Sequence, residues 1–196
     1  MKNFFKYQEK TELKPTGLNG ISDEQINDHW NLYKGYVAQV NKLNEELAQL
    51  TQEGKSDSLL YADRRRRYGF EYNGMVLHEY YFQNLTSQQT NLEGELKNSI
   101  EKTWGSFNAW LSDFINTGKT RSIGWAILYA DKNSKQLTNN FIFEHSNGNI
   151  AGFIPILVMD VWEHAYMVDH KAGGRPDYIK SFIKNINWKV VEQRFL

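Results

Sequence analysis

Carboxylate and imidazole, two groups that bind first-row transition metals, stand four positions apart at Asp160 and His164. Asp and His one helical turn apart can point at a common centre. They follow the apolar run at 153–158, strand-like in length and composition, so a buried strand should hand over to a helix here. The chain has five His, at 29, 78, 145, 164 and 170. On its neighbours alone, His78 reads first as a satisfied core histidine on an aromatic helix face, and His145 as a polar residue on a hairpin loop. His170, between Asp169 and Lys171, reads as a surface residue. There is no cysteine, which excludes thiolate zinc sites, iron–sulfur clusters, disulfides and a cysteine nucleophile, and suits a reducing compartment.

The elements that must position these groups follow from periodicity. Residues 1–20 read as an extended arm. Ser22-Asp23-Glu24-Gln25 is a capping box, with Gln25 at the third helical position. From there Ile26, Trp30, Tyr33, Val37, Val40, Leu43, Leu47 and Leu50 recur every three or four residues, a long amphipathic helix closing near Gly54. A second helix runs from Asp57 or Ser58 to about Leu85. Gly69 and Gly74 inside it suggest close packing or room for something bulky, since Gly costs a helix roughly 1 kcal/mol against Ala. Residues 87–101 predict a connecting helix and 106–115 another amphipathic one. Two strands at 122–130 and 136–143, a third at 153–159, and helices from about 161 and from Pro176 complete the chain. The fold class is α+β: an N-terminal arm and helical hairpin at 1–86, then an α/β half at 87–196 with a small three-stranded antiparallel sheet flanked by helices.

The 196 residues carry 23 basic and 23 acidic side chains and 40% hydrophobic residues. That balance argues for no nucleic-acid or membrane partner. The first ten residues are too polar for a signal peptide and no run reaches membrane-spanning length, so the expected location is cytoplasmic. The run Arg64 to Arg67 reads as a solvated helix face, with anion steering as the alternative.

Asp160-Val161-Trp162-Glu163-His164-Ala165-Tyr166, with Arg175-Pro176-Asp177-Tyr178-Ile179-Lys180 and Asn187-Trp188, resembles the C-terminal signature of the iron/manganese superoxide dismutases. His78-Glu79-Tyr80-Tyr81-Phe82 resembles the family segment in which a ligand His precedes an aromatic triplet, with Leu77 where the family usually has Asn. His29 stands where the first ligand lies. The family's His-His pair is missing, and Tyr36 follows seven positions on instead of eight. Offsets of seven and eight leave two side chains roughly 20° and 80° apart around a helix, so both keep them on one face. Local helix winding should absorb the difference. Glu144-His145-Ser146-Asn147 resembles the branch with a His on this loop, just outside the ligand set. Other branches use a Gln there or at the position of Gly74, whose lack of a side chain leaves room for a group arriving from the loop.

The resemblance implies one Fe or Mn ion per chain, held by His29, His78, Asp160 and His164 between the two halves. The ion would cycle between 2+ and 3+ while two superoxide ions become oxygen and hydrogen peroxide. Tyr36 would gate access and relay protons, His145 would tune the site, and Trp125 and Trp162 would keep it dry. Arg175 would steer substrate. Glu163 would reach a neighbouring subunit's ligand His and Tyr166 that subunit's first helix, implying a homodimer or tetramer. The donor set does not choose between the metals. A second reading keeps the fold without activity, as a structural or metal-holding subunit.

Overall fold

The computed structural model describes residues 5–195. A 3-10 turn at Thr11–Leu13 precedes α1, Asp23–Gln52. The Ser22 hydroxyl caps α1 by accepting the Gln25 N–H at 3.0 Å. The predicted apolar stripe, Ile26 to Leu50, is the buried face. Gly54, in the left-handed region at φ 70°, ends it, and Lys55 N–H returns to the Leu50 carbonyl. Ser58 caps α2, Leu59–Gln83, which runs back antiparallel to α1: Arg64 meets Glu46, Tyr36 meets Gly74, and Tyr33 meets Glu79.

The stretch predicted as a helix from 87 bends at 87–88 and has no regular structure up to Glu93, and α3 spans only Gly94–Trp104. Its polar groups bond the backbone near the C-terminus instead: Thr86 N–H to Asn185 O and the Thr90 hydroxyl to Ile186 O, both at 2.8 Å. The amphipathic α4, Phe107–Gly118, follows Ser106. Strands β1 (Gly124–Asp131), β2 (Leu137–Phe143) and β3 (Phe153–Asp160) form one antiparallel sheet in the order β2-β1-β3. Residues Gly124 to Ala130 of the central strand are all buried. Register pairs Trp125 with Asp160, putting both side chains on one face of the sheet.

The helix expected from about 161 is not there. Asp160 ends β3, Trp162 is extended, and His164 sits in a 3-10 turn, Glu163–Ala165, ahead of the short α5, Met167–His170. The Asp160 carboxylate takes the Trp162 N–H at 2.8 Å, an Asx-type turn that competes with helix at this point. Helices α6 (Arg175–Lys184, with Pro176 in its first turn) and α7 (Trp188–Phe195) close the chain. Among the described residues, no helix is long and apolar enough to cross a membrane.

One apolar cluster joins the α1–α2 hairpin to the sheet, with Tyr33, Phe82, Trp125, Val158 and Phe182 among its members. Arg194 of α7 ties the same parts together. Its guanidinium donates to Asn84 Oδ1 at 2.5 Å, Ile156 O at 3.0 Å, Gln83 Oε1 at 2.9 Å and Tyr80 O at 3.2 Å. Burial lowers its pKa to about 10. Arg194→Met keeps the stem and leaves those acceptors unpaired, so chemical unfolding should show a loss of about 2–4 kcal/mol; an unchanged midpoint would show that water replaces the guanidinium.

Candidate metal centre

Four side chains from four elements meet at the junction of hairpin and sheet. His29 comes from α1, His78 from α2, Asp160 from the end of β3 and His164 from the following turn. Their candidate ligand atoms all lie within 4.8 Å of one another. Asp160 Oδ2 is the centre of the group: His29 Nε2 is 3.0 Å away, His164 Nε2 3.1 Å and His78 Nε2 3.8 Å. The Asp160 backbone is fixed as well, its carbonyl accepting the Tyr178 hydroxyl at 2.7 Å.

His29, His78 and Asp160 are fully buried. Burial lowers the pKa of both His29 and His78, so they are neutral in neutral solution. Burial alone would raise the Asp160 carboxyl. Electrostatic attraction to His164 and the hydrogen bonds from His164 and His29 outweigh it and hold the group ionised.

These residues fit a metal ion, and the tautomer of His78 shows it. His78 Nδ1–H donates to the Gly74 carbonyl at 2.6 Å. That leaves Nε2 as a lone pair, and Nε2 is buried with no hydrogen-bond partner. A bare imidazole lone pair beside a carboxylate in a dry pocket calls for a cation. Neutral imidazoles with one carboxylate suit iron or manganese. His29 Nδ1 is also buried and unpartnered.

His29 and Tyr36 converge without any irregularity in α1, which is α-helical from end to end. The expected local winding is absent, because an offset of seven already keeps the two on one face. The Tyr36 hydroxyl lies 2.7 Å from His145 Nε2, and its ring centroid 5.1 Å from that of His78. Gly74 provides the space, though not for the loop residue directly. A Cβ there would come within 2.6 Å of the Tyr36 ring, so the glycine admits the tyrosine and His145 reaches its hydroxyl.

His145 is buried and follows Glu144, which adopts φ 53°. Its carbonyl is anchored by Asn73 at 2.8 Å, and its Nδ1 accepts the Trp125 indole N–H at 3.0 Å. Indole nitrogen only donates, so the neutral His145 ring carries its proton on Nε2 and gives it to the Tyr36 oxygen. Burial holds the His145 pKa down to about 4. Burial, reinforced by the charges of Asp160 and Glu71, raises that of Tyr36. Both groups are therefore neutral at physiological pH. Trp162 stacks between His145 and His164, at 5.1 Å and 5.6 Å, and Trp125 packs edge-on against His78.

The remaining candidates lie further out. Arg175 donates to Thr120 O at 2.8 Å and to the Tyr166 hydroxyl at 3.4 Å, so Tyr166 has a partner within its own chain. Glu163 is exposed. His164 is the most open of the four, its side chain 22% exposed, and of its two ring nitrogens only Nε2 makes a hydrogen bond within the described residues.

Gln25 was missed as a site residue. The capping-box pattern assigns its side chain to the N-terminus of α1, but the Ser22 N–H goes to Asp169 at 2.7 Å instead. The Gln25 amide is 1% exposed, donates to the His164 carbonyl at 2.6 Å and accepts the Val168 N–H at 3.0 Å. One helical turn before His29, it fixes the turn that carries His164. Its position four residues before His29 was the available signal, and it pointed to the cap equally well.

A family model described as the C-terminal domain of iron/manganese superoxide dismutases matches residues 92–194. The chain is 41% identical over 196 residues to the iron superoxide dismutase of Aquifex pyrophilus, covering 97% of this chain and 91% of that protein. The figures are the same for that of Aquifex aeolicus. It is 31% identical over 177 residues to manganese superoxide dismutase 2 of Haloferax volcanii, covering 89% of this chain and 87% of that one.

Gln25→Leu removes the clamp on His164 and leaves all four candidate ligands in place. Competition with a chelator should show metal affinity about 10- to 100-fold weaker. Affinity equal to wild type would make the clamp a packing contact only.

Proposed function

This chain belongs to the iron/manganese superoxide dismutase family, and on that premise we propose how its residues carry out the dismutation of superoxide to oxygen and hydrogen peroxide. The observation that carries the reading is the bare Nε2 of His78, facing the Asp160 carboxylate between two further imidazoles. His29, His78, Asp160 and His164 would hold one ion. When bound, iron or manganese supplies the one-electron couple between 2+ and 3+ that the two half-reactions need.

The other residues handle protons and water. Peroxide formation takes up two protons, and the nearest neutral donor is the Tyr36 phenol. His145 Nε2–H occupies a lone pair of the Tyr36 oxygen, so the phenol hydrogen is free to point at an incoming anion. His145 cannot pass a proton inward through its ring, because the Trp125 N–H fills Nδ1. It orients Tyr36, and Tyr36 is recharged from solvent. Trp125 and Trp162 cover the imidazoles and keep bulk water from the ligands. Arg175 adds positive charge beside the turn that carries His164.

A second chain completes the site. A ligand imidazole is normally held through its other nitrogen; Gly74 does this for His78, while His164 has no such acceptor within the described residues. Glu163, exposed and adjacent, would serve the partner's ligand in a two-fold arrangement, each chain bridging the other. The assembly is a homodimer or a pair of dimers. The absence of cysteine favours the cytoplasm.

Metal analysis of protein loaded separately with iron and manganese, paired with a dismutation assay on each, tests the activity. We expect one ion per chain and activity with at least one metal; inactivity with both would leave a structural or metal-holding role. His145→Leu should keep its metal and lose about 10- to 100-fold in kcat/KM, whereas equal loss of both would make His145 a ligand. For the dimer, Glu163→Ala should sediment as a monomer at micromolar concentration, and unchanged association would remove Glu163 from the interface.

A further inference from the structure

The four consecutive arginines of α2 are not equivalent. Arg66 is 78% exposed and paired with Asp63, and Arg65 lies against Tyr61 of its own helix. Arg64 and Arg67 instead line a cleft of about 510 Å³ between α1 and α2, together with Lys42, Glu46, Glu71 and Tyr36. Tyr36 is the lining residue that also bonds His145 and packs on His78.

Within the cleft, the two arginines differ in how their charge is balanced. Arg64 sits 2.5 Å from Glu46, and both side chains are 31% exposed, so the pair presents little net field. Arg67 lies 2.6 Å from Glu71, but the arginine is 49% exposed and the carboxylate 7%. Both line the cleft, but the carboxylate is almost covered while about half of the arginine side chain stays open to solvent. The Arg67 guanidinium also lies 4.1 Å over the Phe70 ring, which in turn meets the rings of His145 at 4.5 Å and Tyr36 at 6.5 Å. Arg67, Phe70, Gly74 and His78 follow one face of α2, leading from the cleft to the candidate ligand.

We propose that Arg67 is a rate-determining steering residue, drawing a small monovalent anion into the α1–α2 cleft and delivering it to Tyr36. For superoxide this rests on the dismutase reading. The chain has no net charge, so attraction must come from a local field, and the cleft's apolar wall, Leu32 and Leu43, focuses such a field. Arg67 and His78 are about 16 Å apart along the helix axis, and the arginine side chain shortens that reach. The distance is comparable to the screening length of about 10 Å at 0.1 M salt, so the effect should be strong at low ionic strength and fade with added salt. Arg175, bonded to Thr120 and Tyr166, lines no part of this cleft.

The test compares R67Q, R67K, R66Q and the double variant R67Q/E71Q, which avoids leaving the covered Glu71 carboxylate unpaired. Dismutation by the metal-loaded proteins is measured after pulse radiolysis across ionic strength. Azide association with the same proteins is followed by visible absorbance. We expect kcat/KM and the azide on-rate to fall about three- to ten-fold in R67Q at low salt. The loss should be smaller in R67Q/E71Q, and R67K and R66Q should match wild type. The gap should close as salt rises. R67Q equal to R66Q in the azide measurement, or a deficit that ignores salt, would overturn the proposal. A wild-type protein that takes up azide but does not dismute superoxide would remove the dismutase reading alone, with the azide comparison still deciding the role of Arg67.

Discussion

The site depends on one buried carboxylate. Asp160 is wholly inaccessible to solvent, and an ionised carboxylate in that position is tolerable only if its surroundings replace the water it has lost. One oxygen is answered by the Trp162 amide and the other by the Nε2 atoms of His29 and His164, with the bare Nε2 of His78 beside them. Each of those imidazoles must be held in place by something else: His78 by the Gly74 carbonyl, His164 by the Gln25 clamp on its backbone, His29 by its helix. The hairpin, the sheet and the turn after β3 are thereby fixed relative to one another.

Around that carboxylate the proton inventory is tightly specified. The Trp125 indole determines which nitrogen of His145 carries the hydrogen, and this determines which lone pair of Tyr36 is occupied. A donor-only group at the back of the chain fixes the direction of every bond in front of it. Gly74 contributes twice, with a carbonyl for His78 and an absent side chain for the Tyr36 ring.

Most of the fold was legible because its signals are local: the Ser22 and Ser58 caps, the apolar stripe of α1, the three strands. The stretch after Thr86 and the turn after Asp160 were misread for one shared reason, since side-chain to backbone hydrogen bonds override helical patterning in both. The four candidate ligands were named through their motifs, and the geometry brings them together. Gln25 and Arg67 were assigned to a cap and a solvated face because neither signal carries long-range information. Gln25 reaches a carbonyl 139 positions away, and the field of Arg67 depends on which of two paired groups is covered.

His29 and Asp160 are separated by 131 positions. Closing so long a loop is entropically unfavourable, and contacts of this span form late. During synthesis, at roughly 5–20 residues per second, an emerging chain would expose His29 and His78 well before Asp160 and His164 exist. Two isolated imidazoles hold a metal weakly, so ions met on the ribosome exchange freely. All four donors come together only in the finished chain, with a donor set that accepts either iron or manganese.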